Sequence, residues 1–259
     1  MKRTSDQKAV VKRQREQMLK LVSKGFYKEL INYGVQKDEI LRVASHLLDN
    51  LMAQENQPGE GVRYYNDLFT LDSVTDEWKD RRRLAVQHVA LRPLEPADIP
   101  LVAAWLRDRA VRESFVPAFP ESEAALKDYF AQAARQYFAI LYDGRAVGIV
   151  GGENVDPAAG KLEMKKLVGE PGLQGKGIGK RATFAFLYYT FMILNFHKVY
   201  LHSRDINVHN LNLNSRFGFE LEGIFFDDIT IAGCPQDIVR MALFKAMWVR
   251  IFARRGVEA

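Results

Sequence analysis

The spacing of hydrophobic residues changes several times along the chain, and each change marks an element. From about Asp6 to Tyr33 the spacing is helical, with Gly25 a candidate interruption and Gly34 placed to end the segment. A second helix is capped by Asp38 and carries Ile40, Leu41, Ala44, Leu47, Leu48 and Leu51 on one face; it stops before Pro58-Gly59. His46 falls within it as a packing residue. Tyr64, Tyr65, Leu68, Phe69 and Trp78 follow without a clear period. They are too apolar for a free linker, so the connector is expected to lie on a neighbouring surface. Arg81-Arg82-Arg83 closes this region. Residues 1–83 are thus expected to form a helical N-terminal extension, and 84–259 a second domain.

A new pattern starts at Val86. Val89, Leu91 and Leu94 predict a strand, and Pro96-Ala97-Asp98 leads into a helix carrying Leu101, Val102, Trp105 and Leu106. A second helix is expected over Glu121–Arg135. Tyr137–Tyr142 and Arg145–Gly151 flank Asp143-Gly144, a two-residue hairpin signal. After a turn at Asp156-Pro157 and Gly160, Lys161–Val168 is a strand. Then Ala182, Phe186, Tyr189, Phe191, Ile193 and Leu194 mark a helix apolar nearly all round, hence buried. Lys198–Ser203 is a short buried strand and Asn207–Arg216 a helix broken at Gly218. Phe219–Asp228 and Asp237–Phe244 form a closing strand pair before a tail with Trp248, Ile251 and Phe252.

Composition narrows the class. The chain has 259 residues, 47% of them hydrophobic, enough for a sizeable core. No apolar run reaches the roughly 20 residues of a membrane span, and no apolar stretch follows the basic N-terminus as in a secretory signal. Cys234 is the single cysteine, which rules out an internal disulfide and fits a reducing cytoplasm. The net charge of +5 is uneven. Residues 1–24 carry eight Lys/Arg against Asp6 and Glu16, a net of +6 that leaves −1 (5 − 6) for the rest. No aromatic residues interleave with these charges, so base stacking is not supported and no nucleic-acid partner is expected. The five histidines show no metal-ligand spacing, and no metal is expected.

The candidate chemistry centres on Gln174-Gly175-Lys176-Gly177-Ile178-Gly179-Lys180, between the strand 161–168 and the apolar helix. A glycine loop at a helix start presents bare amides to an anion, best a pyrophosphate. Glycine lets the backbone approach phosphate without a Cβ in the way. The Walker loop needs Gly-Lys-Ser/Thr after a four-residue gap, which is absent, and the dinucleotide fingerprint fits poorly. The segment 174–179 resembles the Gln/Arg-x-x-Gly-x-Gly/Ala loop of the GCN5-related N-acetyltransferases. Further spaced elements agree: Leu91-Arg92, Asp98 and Trp105; Leu194–Leu201; Asn207-x-x-Asn210; Gly218-Phe219; Glu222-Gly223; Gly233; and Asp237-x-x-Arg240-Met241. The resemblance covers about 86–246 and is nearest the ribosomal-protein and spermidine N-acetyltransferase branch.

It implies an α/β (α+β) fold with a mixed sheet splayed open between two central strands, flanked by helices. Acetyl-CoA would lie in the gap, its pantetheine arm paired with Leu167, Val168 and Gly169, its pyrophosphate on Gln174–Lys180, and Asn207 and Asn210 against the CoA arm. A neutral amine would attack the thioester directly, which requires a base and an oxyanion donor on the strand before the loop. Glu163 is the first candidate base, with Glu153 and Asp205 as alternatives; His202 is either core or catalytic. The position that carries the thiolate-protonating tyrosine in many relatives holds Asn214, which cannot donate a proton in its place. The acceptor is expected to be a primary amine: an amino sugar, a polyamine or a protein N-terminus. Asp227, Asp228, Glu220 and Glu222 are available for a polyamine. Two alternatives stay open: a non-catalytic CoA-binding module, and a protein acetyltransferase whose residues 1–83 recruit its substrate. A homodimer is a further expectation.

Overall fold

A computed structural model describes residues 2–36, 39–40, 64–108, 111–112, 115, 118–204, 208–231 and 233–253. The helix expected to begin at Asp38 lies outside them, apart from the short helical piece at 39–40. The chain divides into two compact units. The larger holds 65–202, 217–220 and 241–259; the smaller holds 1–64, 203–216 and 221–240.

In the larger unit, strands β1 (Thr75–Glu77), β2 (Arg83–Val86), β3 (Val89–Pro93), β4 (Gln136–Tyr142), β5 (Arg145–Asp156), β6 (Lys161–Val168) and β7 (Lys198–Arg204) lie side by side in chain order. Each neighbouring pair from β1 to β6 is antiparallel, and β6 with β7 is parallel. The single strand expected from Val86 is instead the β2–β3 hairpin, because Gln87 takes the left-handed conformation (φ 54°) and reverses the chain. The sheet also begins earlier than the expected boundary at 83/84. Glu77 pairs with Arg83, and helix α2 (Trp78–Arg81) joins β1 to β2.

Apolar burial fixes the helices of this unit. The residues of α3 (Ile99–Trp105) and α4 (Glu123–Phe130) that face inward, among them Val102 and Leu126, join Phe119, Tyr137, Ile149 and Leu167 on one sheet face. Helix α4 is shorter than the expected Glu121–Arg135. Ser122 caps it by accepting from Ala125 N–H at 3.2 Å, and Arg135 lies beyond its end, stacked 3.5 Å over the Tyr129 ring. On the other face, α5 (Ile178–Tyr188) continues into a π-helical turn at Tyr189–Ile193. Phe184, Phe186 and Phe191 there are fully buried, as the apolar pattern predicts. Helix α7 (Lys245–Phe252) sets Trp248 and Phe252 against Phe184 at 5.3 and 5.0 Å. The connector aromatics belong to this core: Phe69 stacks on Phe184 at 4.9 Å, and Trp78 meets Phe138 and Tyr189. Each fully buried aromatic side chain contributes about 1.5–3 kcal/mol.

In the smaller unit, α1 (Lys2–Asn32) runs unbroken through Gly25. A glycine inside a helix costs only about 1 kcal/mol against alanine, and Gly25 is buried, where a small residue allows close packing. The helix ends at Gly34, as expected, and packs near α6 (Val208–Ser215). Strands β8 (Glu220–Ile231) and β9 (Cys234–Phe244) are longer than the expected pair, and neighbour each other. No helix among the described residues is long and apolar enough to cross a membrane.

Candidate active site

The site begins where β6 and β7 part. The parallel ladder holds only Lys161↔Lys198, Leu162↔Val199 and Glu163↔Tyr200. Beyond Glu163, β6 continues to Val168 on the β5 ladder alone among the described pairings. Its opposite edge over 164–168 has no strand partner among the described pairings. Alternation decides which groups face that edge. Gly169 N–H donates to Val147 O at 2.9 Å, toward β5. The backbone groups of Leu167 share that direction, so those of Lys166 and Val168 point to the open side. Of the expected set Leu167, Val168 and Gly169, only Val168 turns its backbone groups to the side away from β5. Gly169 packs directly against the Trp105 ring, where a Cβ would collide with it.

The strand runs directly into the glycine loop. Leu173 N–H bonds Glu170 O at 3.0 Å and Arg181 N–H bonds Gly177 O at 3.2 Å. Among the described residues, no hydrogen bond within the protein is made by the amides of 177–180, at the start of α5. Gly177, at φ 76°, sits just before the first turn of α5. The Gln174 side chain donates to Val168 O at 3.4 Å. A cavity of about 270 Å³ opens beside the loop, lined by Leu68, Phe69, Gln87, Lys176, Lys180 and Arg181 among others. Arg181 is held there by Gln87 Oε1 at 2.8 Å and by Gly177 O at 3.2 Å. Lys180 Nζ lies 5.0 Å from the Tyr65 ring centre. Below the loop, burial pushes the Lys166 ammonium down to about 8.

Two carboxylates lie on the α3–α4 face of the sheet, at directly paired positions of β5 and β6. Glu153 is fully engaged: Lys165 Nζ lies 2.8 Å away, Tyr137 Oη donates at 2.6 Å, and Tyr129 Oη also donates. Burial opposes its charge, but Lys165 and the two hydroxyls outweigh burial and hold the carboxyl below its ordinary value. Burial, with Glu153 behind it, pushes both tyrosines well above theirs. As a free base Glu153 is therefore ruled out. Glu163 stands at the last paired residue before the strands part. Its Oε1 lies 3.0 Å from His202 Nδ1, and its Oε2 accepts from Asn154 Nδ2 at 3.0 Å. His202 sits two residues beyond Tyr200 on β7.

The remaining expected residues fall elsewhere. Asp205 and Asn207 lie outside the described residues, as does the side chain of Asn210. Asn214 is buried within the smaller unit. In that unit Glu222 is ion-paired with Arg240 at 2.9 Å, and Asp237 accepts from Asp227 N–H at 3.0 Å. The Arg92–Asp98 pairing, singled out only as part of a resemblance, is a two-pronged ion pair at 2.7 and 2.8 Å that fixes the start of α3. Among the described residues no cluster of His, Cys, Asp or Glu could hold a metal ion.

This geometry has known counterparts. Residues 88–220 match the acetyltransferase (GNAT) domain family. Spermidine N(1)-acetyltransferase of Escherichia coli K12 is 26% identical over 165 residues, 62% of this chain and 88% of that protein. The enzyme of the same name from Vibrio cholerae is 26% identical over 167 residues, 62% of this chain and 95% of its own length. A crystal structure of spermidine N-acetyltransferase from Vibrio cholerae in complex with CoA and spermine superposes with a TM-score of 0.59 at 25% identity, covering 63% of this chain and 99% of that one. With the splayed β6–β7 pair and the glycine loop between β6 and α5, the match makes the conclusion plain: the chain belongs to the GCN5-related N-acetyltransferase family and is an N-acetyltransferase that uses acetyl-CoA.

Proposed function

We propose that the chain transfers the acetyl group of acetyl-CoA to a primary amine of a polyamine. The observation that carries this reading is the parting of β6 from β7 after Glu163, directly ahead of a glycine loop whose last amides, 177–180, are unbonded within the described residues. In this reading the pantetheine arm pairs with the open edge at Lys166 and Val168. The pyrophosphate rests on the amides of 177–180, beside Lys176 and Lys180. That assignment puts the thioester at the vertex, next to Glu163. The amine lone pair attacks the thioester carbon, and the C–S bond breaks with its electrons going to sulfur. The thiolate takes a proton from the amine nitrogen as the intermediate collapses, or from water.

The polyamine acceptor is supported by the activity for which the E. coli and V. cholerae relatives are named. A carboxylate at the vertex suits a cationic amine. The test is release of CoA thiol from acetyl-CoA by the purified chain with spermidine, spermine, an amino sugar and a peptide N-terminus. Release with the two polyamines, at kcat/KM at least tenfold above the other amines, is expected. Release only with the others would overturn the acceptor, and release with none would overturn the enzymatic reading for this chain.

A further inference from the structure

Resting on the donor placement above, with the pyrophosphate of acetyl-CoA on the glycine loop, we propose that the cavity beside that loop binds the 3′-phosphorylated nucleoside end of the donor. Part of its wall comes from outside the transferase domain. The family match spans 88–220, whereas Leu68, Phe69 and Gln87 precede it. The rest of the wall is the loop and the first turn of α5, with Lys176, Lys180 and Arg181. The chain thus builds a donor subsite with its own connector, and donor selectivity depends on that added segment.

The apolar wall is firmly mounted. Tyr65 and Phe69 are buried; Phe69 stacks on Phe184 at 4.9 Å, and Tyr65 meets Phe217 at 4.9 Å. The amides of Leu68 and Phe69 both donate to Tyr65 O, at 3.0 and 2.9 Å. Leu68, next in sequence to the buried Phe69, is itself 54% exposed and lines the cavity. An apolar side chain fixed in place and left in water is a ready surface for the flat face of a purine base.

The polar wall is cationic. Arg181 donates from Nε to Gln87 Oε1 at 2.8 Å and from Nη1 to Gly177 O at 3.2 Å. Both acceptors are neutral, so neither offsets its charge, and Nη2 has no hydrogen-bond partner among the described residues. Gln87 sits in the left-handed turn between β2 and β3, which carries it to the loop. Lys180 lies over the Tyr65 ring at 5.0 Å, and no carboxylate lines the cavity. Three cations without a counter-charge suit a ligand with several negative charges, and a guanidinium held in place suits a phosphate monoester. The volume of about 270 Å³ is just under the roughly 300–1,000 Å³ that encloses a whole drug-sized ligand. It therefore takes one end of CoA, and that end carries both a purine and a monoester.

The test is calorimetric titration of the full chain with CoA, 3′-dephospho-CoA and pantetheine 4′-phosphate. In the wild type, removal of the 3′-phosphate is expected to raise Kd about tenfold. Arg181→Gln is expected to weaken CoA by about tenfold and 3′-dephospho-CoA by less than about twofold, so that the preference disappears. Leu68→Ala, at an exposed position that spares the fold, is expected to weaken both by about threefold or more and pantetheine 4′-phosphate by less than about twofold. Equal affinity of the wild type for CoA and 3′-dephospho-CoA would overturn the proposal. So would wild-type affinity for CoA in both variants, or equal weakening toward all three ligands. A wild type that binds no CoA would instead remove the donor placement on which the proposal rests.

Discussion

Lys166 Nζ donates to Thr183 Oγ1 at 2.7 Å, and Thr183 Oγ1 donates in turn to Gly179 O at 2.8 Å. This relay ties the interior of β6 to the first turn of α5, below the glycine loop. It holds an ammonium that burial depresses from 10.5 to about 8. A lysine with a lowered folded value binds fewer protons folded than unfolded between these two values, so stability rises with pH there. The cost is fully present below about 8 and relieved as pH climbs toward 10.5. Lys166→Met is therefore expected to be more stable than the wild type at pH 7, with the gap closing between pH 8 and 10.5. Urea unfolding midpoints across this range check it.

The Glu153–Lys165 pair behaves in the opposite sense. Glu153 has a lowered folded value, so its contribution is present above the ordinary carboxylate range and is lost as pH falls through the folded value. Glu153→Gln leaves the Lys165 ammonium buried without its counter-charge and is expected to cost about 3–5 kcal/mol. The double variant Glu153→Gln, Lys165→Met is expected to recover most of that loss. Chemical denaturation of the three proteins measures the coupling.

Gly177 adopts φ 76°, and a Cβ there would sit 2.7 Å from the Arg181 guanidinium. A left-handed non-glycine residue costs about 1–2 kcal/mol, and the clash displaces Arg181 from Gln87. Gly177→Ala is expected to raise the Kd for acetyl-CoA by about tenfold or more while leaving the acceptor KM within twofold. Calorimetric titration with CoA separates this from a folding defect.

Trp248 is fully buried against Phe184, Phe191 and Phe252. Trp248→Ala is expected to lower stability by about 3–5 kcal/mol, read as a fall in the thermal midpoint.

The loop, the buried helix behind it and most strands could be read from residue spacing because their signals are local. Glycines at 175, 177 and 179, and the all-round apolar face of α5, need no partner to be recognised. Pairings across the fold were not legible. Glu163 and His202 lie 39 residues apart, and only the parallel crossover brings them together. Lys165 cancels Glu153 through an antiparallel register that spacing does not reveal. Arg81-Arg82-Arg83 looked like an end to the extension, yet it spans the α2–β2 junction, where Arg83 and Arg81 both reach Glu77. Which edge of β6 the backbone groups of Leu167, Val168 and Gly169 face is likewise not legible, because sequence does not tell which side of a strand an amide points to.

The gap between β6 and β7 has one more consequence. An unpaired strand edge is a place where other chains can add, and in the proposed reading bound donor would occupy it as a further strand. Acetyl-CoA then acts as a folding cofactor as well as a reactant. At a donor concentration of 100 times Kd, mass action adds about 2.7 kcal/mol to the native state. Thermal melting with acetyl-CoA is thus expected to shift upward by more than with acetate plus adenosine.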